Sequence, residues 1–268
     1  MARGKRQHSR GGARIDRDSD ALMIGGPNAV EAALSGQSQG GQTGVFRVFL
    51  ESGAPTRAQA LATAAREAGI PVSSAGKGEC DVMTGVRCQG IAAEIRFGYA
   101  DLDDILAASP RLILFLDEIA DPHNLGAIIR SAEAAGASAV VIPARRAAQV
   151  NATVMRVSAG AAVFLPVCRV TNLVRALSMA RSSGFRALGL DQEGSRSLAD
   201  ALDVREPIAL VIGSEGEGIR RLVRETCDEL VGIPMRGRVE SLNASVAAGV
   251  AVFTALAAMD RFDTTRQD

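Results

Sequence analysis

From Arg111 onward, short unbroken apolar runs alternate with longer stretches in which apolar residues return every three or four positions. The first pattern is that of a strand buried on both faces, the second that of an amphipathic helix. Strands are therefore predicted at Leu112–Leu116, Ala139–Ile142, Val163–Val167, Ala187–Leu190, Ile208–Ile212 and Leu230–Ile233. Helices are predicted at Leu125–Ala135, Ala152–Ser158, Asn172–Ser182, Ile219–Cys227 and Ser241–Met259. Strands separated by helices of this length imply an α/β fold with a mostly parallel sheet covered on both faces. Ligands of such sheets bind beyond the carboxyl ends of the strands.

The preceding part of the chain is patterned differently. Order is expected from Ala21, followed by a turn at Gly25-Gly26-Pro27-Asn28, a helix over Ala29–Leu34 and a glycine-rich loop over Ser35–Gly44. A strand at Val45–Leu50, a helix at Thr56–Ala68 and short strands at Ile70–Val72 and Gly90–Ile95 complete a small α/β unit. The resulting division is a tail over 1–20, a small domain over 21–97, a charged helical linker over 98–110 and a large domain over 111–268.

Composition narrows the function. The chain has 268 residues and no net charge, but Arg3, Lys5, Arg6, Arg10 and Arg14 precede the first acidic residue. That basic, aperiodic tail reads as a disordered segment able to attract phosphate. With no Trp and one Tyr, a repeated aromatic platform for single-stranded RNA is not expected. Cys80, Cys88, Cys168 and Cys227 form no C-x-x-C pair, and two histidines cannot complete a zinc site, so free thiols and no metal are expected. Neither a signal peptide nor an apolar run long enough for a membrane is present, which makes the cytoplasm the expected location.

Three segments carry candidate chemistry. The first, Leu116 to Gly136, leaves a buried strand, turns at Asp121-Pro122 and enters a helix that Asn124 can cap. Leu125, Ile128, Ile129 and Ala132 share its core face, while Arg130 projects elsewhere and could simply pair with Glu133 one turn on. The second, Gly213-Ser214-Glu215-Gly216-Glu217-Gly218, links a strand to a helix. Its glycines permit close backbone approach, but the spacing is neither the dinucleotide fingerprint nor a P-loop. The third, Ile233 to Ala248, crowds Ser241, Asn243 and Ser245 at a helix start, more small polar groups than a cap requires.

Together, N-L-G-x-x-x-R, G-S-E-G-x-G and I-P-M-x-x-x-x-x-S-L-N-x-S-V-A resemble, in order, the three motifs of the SpoU/TrmH family of the SPOUT class. Asn151-Ala152-Thr153, Val170-Thr171-Asn172-Leu173 and Arg221 to Leu230 extend the similarity and are closest to the subgroup that methylates a guanosine ribose of 23S ribosomal RNA. The resemblance implies a C-terminal trefoil knot, an L30e-like substrate-binding small domain, a homodimer, an RNA substrate and S-adenosyl-L-methionine as cofactor. By position, Asn124, Arg130, Glu215, Ser241 and Asn243 match the family's catalytic and substrate-contact residues, and Gly213, Ile233 and Leu242 match backbone positions that hold the cofactor. The turn at Gly25–Asn28 departs from the family's small domain, which bears on target choice. Methylation of transfer RNA by the same fold, and a non-catalytic RNA-binding assembly factor, are the competing functions. A nucleotide-dependent oxidoreductase is disfavoured by the glycine spacing.

Overall fold

The computed structural model describes residues 21–38, 43–202, 205–239 and 241–265; the basic tail over 1–20 lies outside them. The small unit comprises β1 (Ala21–Gly25), α1 (Pro27–Ser38), β2 (Gly44–Glu51), α2 (Thr56–Glu67), β3 (Val72–Ala75), α3 (Glu79–Thr84) and β4 (Ile91–Arg96). Its strands lie in the order β1-β4-β2-β3, with β4 antiparallel to both neighbours and β3 parallel to β2. Two expectations shift here. The third strand begins at Val72 rather than Ile70, because Pro71 has no N–H for the ladder; its carbonyl instead accepts from the Val48 N–H at 2.9 Å. Helix α1 also continues through Ser35 and Gly36, where a loop was expected. A Cβ on Gly36 would sit 2.5 Å from a methyl of Val163, so the helix carries glycine to let the large domain approach.

The large unit opens with α4 (Leu102–Ala107) and β5 (Leu112–Leu116), followed by α5 (Pro122–Ala134), β6 (Ala139–Pro143) and α6 (Ala152–Val157). After a 3-10 turn at Ala161–Val163 come β7 (Val167–Val170), α7 (Leu173–Ser182), β8 (Arg186–Leu190), β9 (Arg196–Ser197) and α8 (Leu198–Ala201). The chain finishes with β10 (Ile208–Ile212), α9 (Arg221–Thr226), β11 (Glu229–Gly232) and α10 (Ala244–Thr265). The seven strands lie in the order β7-β6-β5-β10-β8-β11-β9, every pair parallel. The predicted strand at Val163–Val167 is a correction: Pro166 closes the 3-10 segment, and pairing with β6 starts only at Val167.

Strands β5, β6 and β10 are buried along their whole length. Alternate side chains serve opposite faces. Ile113 and Phe115 pack with Val211, Leu177 and Val223 on one face, while Leu112, Leu114 and Leu116 pack with Leu210, Ile128 and Val252 on the other. The second of these cores continues into the small unit through Ile24, Val30 and Ile95. The segment over 98–110 is docked as well: the Ala100 N–H donates to the Val167 carbonyl at 2.9 Å, and Leu102 is buried.

Candidate active site

Loops leaving β8, β10 and β11 enclose a cleft of about 1090 Å³ at the carboxyl edge of the sheet. The β10 loop closes on itself, with Ser214 N–H donating to the Gly218 carbonyl at 3.1 Å and Gly218 N–H returning to Ser214 at 3.0 Å. A Cβ on Gly213 would lie 2.1 Å from the Gly218 backbone, so this turn admits only glycine there. Leu190, Ile212, Ile233 and Leu242 give the cleft apolar surface. Ile233 and Leu242 lie outside every helix and strand, and their backbone groups have no hydrogen-bond partner among the described residues. A flat heterocycle could use those unpaired donors and acceptors.

Across the cleft mouth, three distant segments are tied together. Asp121, not Asn124, caps α5 by accepting from the His123 N–H at 2.8 Å, with Pro122 in the first turn. The Asn124 side chain is thereby released to donate to Glu215 Oε1 at 2.9 Å. Asn243 Nδ2 donates both to Asn124 Oδ1, at 3.1 Å, and to Glu215 Oε1. Helix α10 starts at Ala244, three residues later than expected, because the Asn243 side chain accepts from the N–H groups of Ser245 and Val246 in its first turn. Asn243 Oδ1 accepts from Ser245 N at 2.9 Å and Ser245 Oγ at 2.6 Å, and the Ala244 N–H reaches Glu215 Oε1 at 3.3 Å. Glu215 is thus a hub whose oxygen joins the first turn of α5 to the N-terminus of α10, where a negative charge is also favoured.

Two other predicted residues stand apart from this cluster. Ser241 is exposed and lines the cleft without a hydrogen bond among the described residues. Arg130 is exposed, lies six residues beyond Asn124, roughly 9 Å further along the helix axis, and does not line the cleft. It forms no ion pair with Glu133 or any other described residue.

The sequence reading did not single out Asp117, Glu118 and Arg220. Asp117 is fully buried at the end of β5 and accepts from Arg220 N and Nε, both at 2.8 Å. The hydrogen bond it donates to Asp117 holds the Arg220 guanidinium above its ordinary pKa against the opposing effect of burial. Glu118 Oε1 lies 3.0 Å from the same guanidinium. The pair clamps the end of the β10 loop to β5. An acidic dipeptide directly after a buried strand was the available signal, since a buried carboxylate requires a partner. The thiols are inert by contrast: burial pushes Cys168 and Cys227 up to about 12, and Cys80 likewise with help from Glu51. No three metal-ligating groups converge among the described residues, and no described helix is long and apolar enough to cross a membrane.

A parallel α/β sheet with a deep loop-built cleft at its carboxyl edge and a fused small mixed-sheet unit defines a two-part ligand-binding protein of the α/β class. Comparison with known proteins makes this specific. The SpoU rRNA Methylase family matches residues 111–253, and the RNA 2'-O ribose methyltransferase substrate-binding family matches residues 23–98. The chain belongs to the SpoU rRNA methylase family. It is 42% identical over 241 residues to the 23S rRNA (guanosine-2'-O-)-methyltransferase RlmB of Photobacterium profundum, covering 87% of this chain and 96% of that protein. An uncharacterized tRNA/rRNA methyltransferase of Mycobacterium ulcerans is 50% identical over 192 residues, or 69% of this chain. The match spans only 62% of that relative's length. The SpoU methyltransferase AviRb of Streptomyces viridochromogenes, crystallised with AdoMet, superimposes with a TM-score of 0.74 at 25% identity, over 91% of this chain and 94% of that one.

Proposed function

We propose that this protein transfers a methyl group from S-adenosyl-L-methionine to a ribose 2'-hydroxyl of RNA, the target being a guanosine of 23S ribosomal RNA. The observation that carries the reading is the Asn124–Glu215–Asn243 cluster at the mouth of the cleft, which draws the three motif segments into one site. The cleft suits the cofactor: Gly213 keeps the β10 turn tight, and the unpaired backbone groups of Ile233 and Leu242 are available to its base. S-adenosyl-L-methionine, when bound, supplies an electrophilic methyl group on a sulfonium.

The attacking 2'-oxygen would lose its proton to solvent or to an RNA phosphate as its bond to the methyl carbon forms and the methyl's bond to sulfur breaks, the electron pair staying on sulfur. Asn124 and Asn243 are placed to hold sugar and phosphate oxygens, and Ser241 to contact the RNA at the rim. Glu215 is a positioning residue, because Oε1 is committed to hydrogen bonds from both asparagines and the α10 N-terminus. Arg130 is assigned to the developing alkoxide. An arginine side chain stays protonated and lacks an acceptor, so electrostatic stabilisation suits it better than proton abstraction. With no partner among the described residues, Arg130 is available to RNA or to a second protomer. Val246, Val250 and Phe253 form an exposed apolar stripe along α10, and we assign that stripe to a homodimer contact. The trefoil knot, the division between recognition and chemistry, and a cytoplasmic location belong to the same proposal.

The test is transfer of labelled methyl to 23S ribosomal RNA and to transfer RNA, followed by mapping of the modified ribose. Arg130→Ala is expected to retain fold and cofactor affinity yet lose single-turnover transfer by about a hundredfold or more. A near-normal rate in that variant overturns the role given to Arg130; cofactor binding without transfer to either RNA favours a non-catalytic binding factor.

A further inference from the structure

From Ala134 to Leu190 the chain contains seven arginines and no Asp or Glu, although the whole protein has no net charge. Several of these arginines are accounted for: Arg181 and Arg186 pair with Asp228 and Glu229, and Arg169 lies 4.4 Å above the Tyr99 ring. Arg145 and Arg146 are not. They sit on the loop between β6 and α6, at the same carboxyl edge as the cleft, and both are exposed. Arg145 has no side-chain partner among the described residues. Among the described residues Arg146 reaches only Glu118, at 3.9 Å, and its side chain remains 80% exposed. Such a pair contributes little to stability.

The loop beneath them is held rigidly. Gln149 Nε2 donates to the carbonyls of Pro143, Ala147 and Ala148 at 3.0, 3.1 and 3.3 Å. The Val150 N–H donates to the Tyr99 hydroxyl at 3.1 Å, and the Ala148 N–H to the Ile119 carbonyl at 2.8 Å. The loop is therefore bolted to the segment joining the two domains and to the β5–α5 loop that leads to Asn124. Within this frame Arg146 adopts φ 59°, a left-handed conformation that strains any residue but glycine. A large, exposed side chain held in strain on a rigid loop returns nothing to stability, and such strain concentrates at functional positions.

We infer that the loop over residues 144–150 is a phosphate clamp for the RNA backbone, in which Arg145 and Arg146 neutralise phosphates next to the target ribose. The inference rests on the reading of the protein as an RNA methyltransferase and adds to it a binding element outside the three motif segments. Phosphates suit this loop because two guanidinium forks protrude from it, and Glu118, the carboxylate that Arg146 reaches, is already engaged by Arg220.

The experiment compares the full-length protein with the double variant R145A/R146G. Glycine relieves the left-handed strain, so melting temperature should be unchanged or higher. Affinity for a 23S ribosomal RNA transcript should fall about tenfold or more. The slope of log affinity against log salt should become shallower by about one to two, as fewer counterions are released. S-adenosyl-L-methionine affinity and kcat at saturating RNA should be retained, with the loss falling on KM. The charge-keeping variant R145K/R146K should recover most of the salt slope but not all of the affinity. An unchanged RNA affinity and slope in R145A/R146G overturns the inference, as does a loss that tracks melting temperature or cofactor binding. If the native protein methylates no RNA yet its RNA affinity depends on these arginines, the clamp stands and the assigned reaction falls.

Discussion

The two sheets differ in what their edges do. In the seven-stranded sheet every strand runs the same way, so the loops leaving β8, β10 and β11 emerge together and can build one cleft. In the four-stranded sheet β4 alone runs against β1, β2 and β3, so the loop leaving β4 emerges at the opposite edge from the other three. The hydrophobic texture follows the same division. Strand β10 reads Ile-Ala-Leu-Val-Ile and is buried throughout, whereas β2 alternates buried Val45 and Val48 with exposed Phe46 and Arg47. A parallel sheet needs cover on both faces and concentrates function at one edge. The mixed sheet leaves surface free, consistent with a recognition role. Yet the two are not independent bodies, because one apolar cluster runs through both.

The comparison is broken most severely at Gly213. Its Cβ would lie 2.1 Å from the backbone of Gly218, an obstacle no side-chain rotation removes. Gly213→Ala should force the β10 turn open and weaken S-adenosyl-L-methionine binding by about a hundredfold, equivalent to roughly 2.7 kcal/mol. Calorimetry measures this, and wild-type affinity would mean that the turn does not shape the cleft.

The join between the sheets is sharpened at Gly160. This residue has φ 88°, and a Cβ there would stand 2.3 Å from Ala32 Cβ on α1. Gly160→Ala should cost about 2–3 kcal/mol, from conformation and overpacking together. The loss should appear as one cooperative transition at lower temperature if the shared core couples the units. Two separated transitions would show that they fold independently.

The smallest effect concerns acid stability in the large sheet. Burial alone would raise the Asp228 carboxyl, but the hydrogen bond from Arg181 and the Ala187 N–H, at 2.8 Å, outweigh it and hold the pKa below the usual aspartate value. A lowered folded-state pKa stabilises above the unfolded value, about 4, and that contribution disappears as pH falls through the folded value. Asp228→Asn should cost about 1 kcal/mol at neutral pH and flatten the loss of stability in acid, as followed by denaturant melts between pH 7 and 3. A variant with the native acid profile would remove Asp228 from the explanation.

The sequence by itself determined the alternation of strands and helices in the large unit. Leu112–Leu116 and Ile208–Ile212 fall where their apolar runs fall, because a doubly buried strand tolerates nothing polar. It also marked three segments with more polar and glycine residues than caps and turns require, and the fold brings Asn124, Glu215 and Asn243 from them together. Tertiary structure decided the rest. Whether Asn124 or Asp121 caps α5 is a contest between neighbouring side chains, and it is settled by Glu215, 91 residues away, offering Asn124 a better partner. Gly36 stays helical because Val163 occupies the place of its side chain, and Arg146 stays left-handed because Tyr99, Gln149 and Ile119 hold its loop. Local patterning registers burial, which each residue carries in its own chemistry; partners across the fold depend on where distant segments meet, and no window along the chain contains that information.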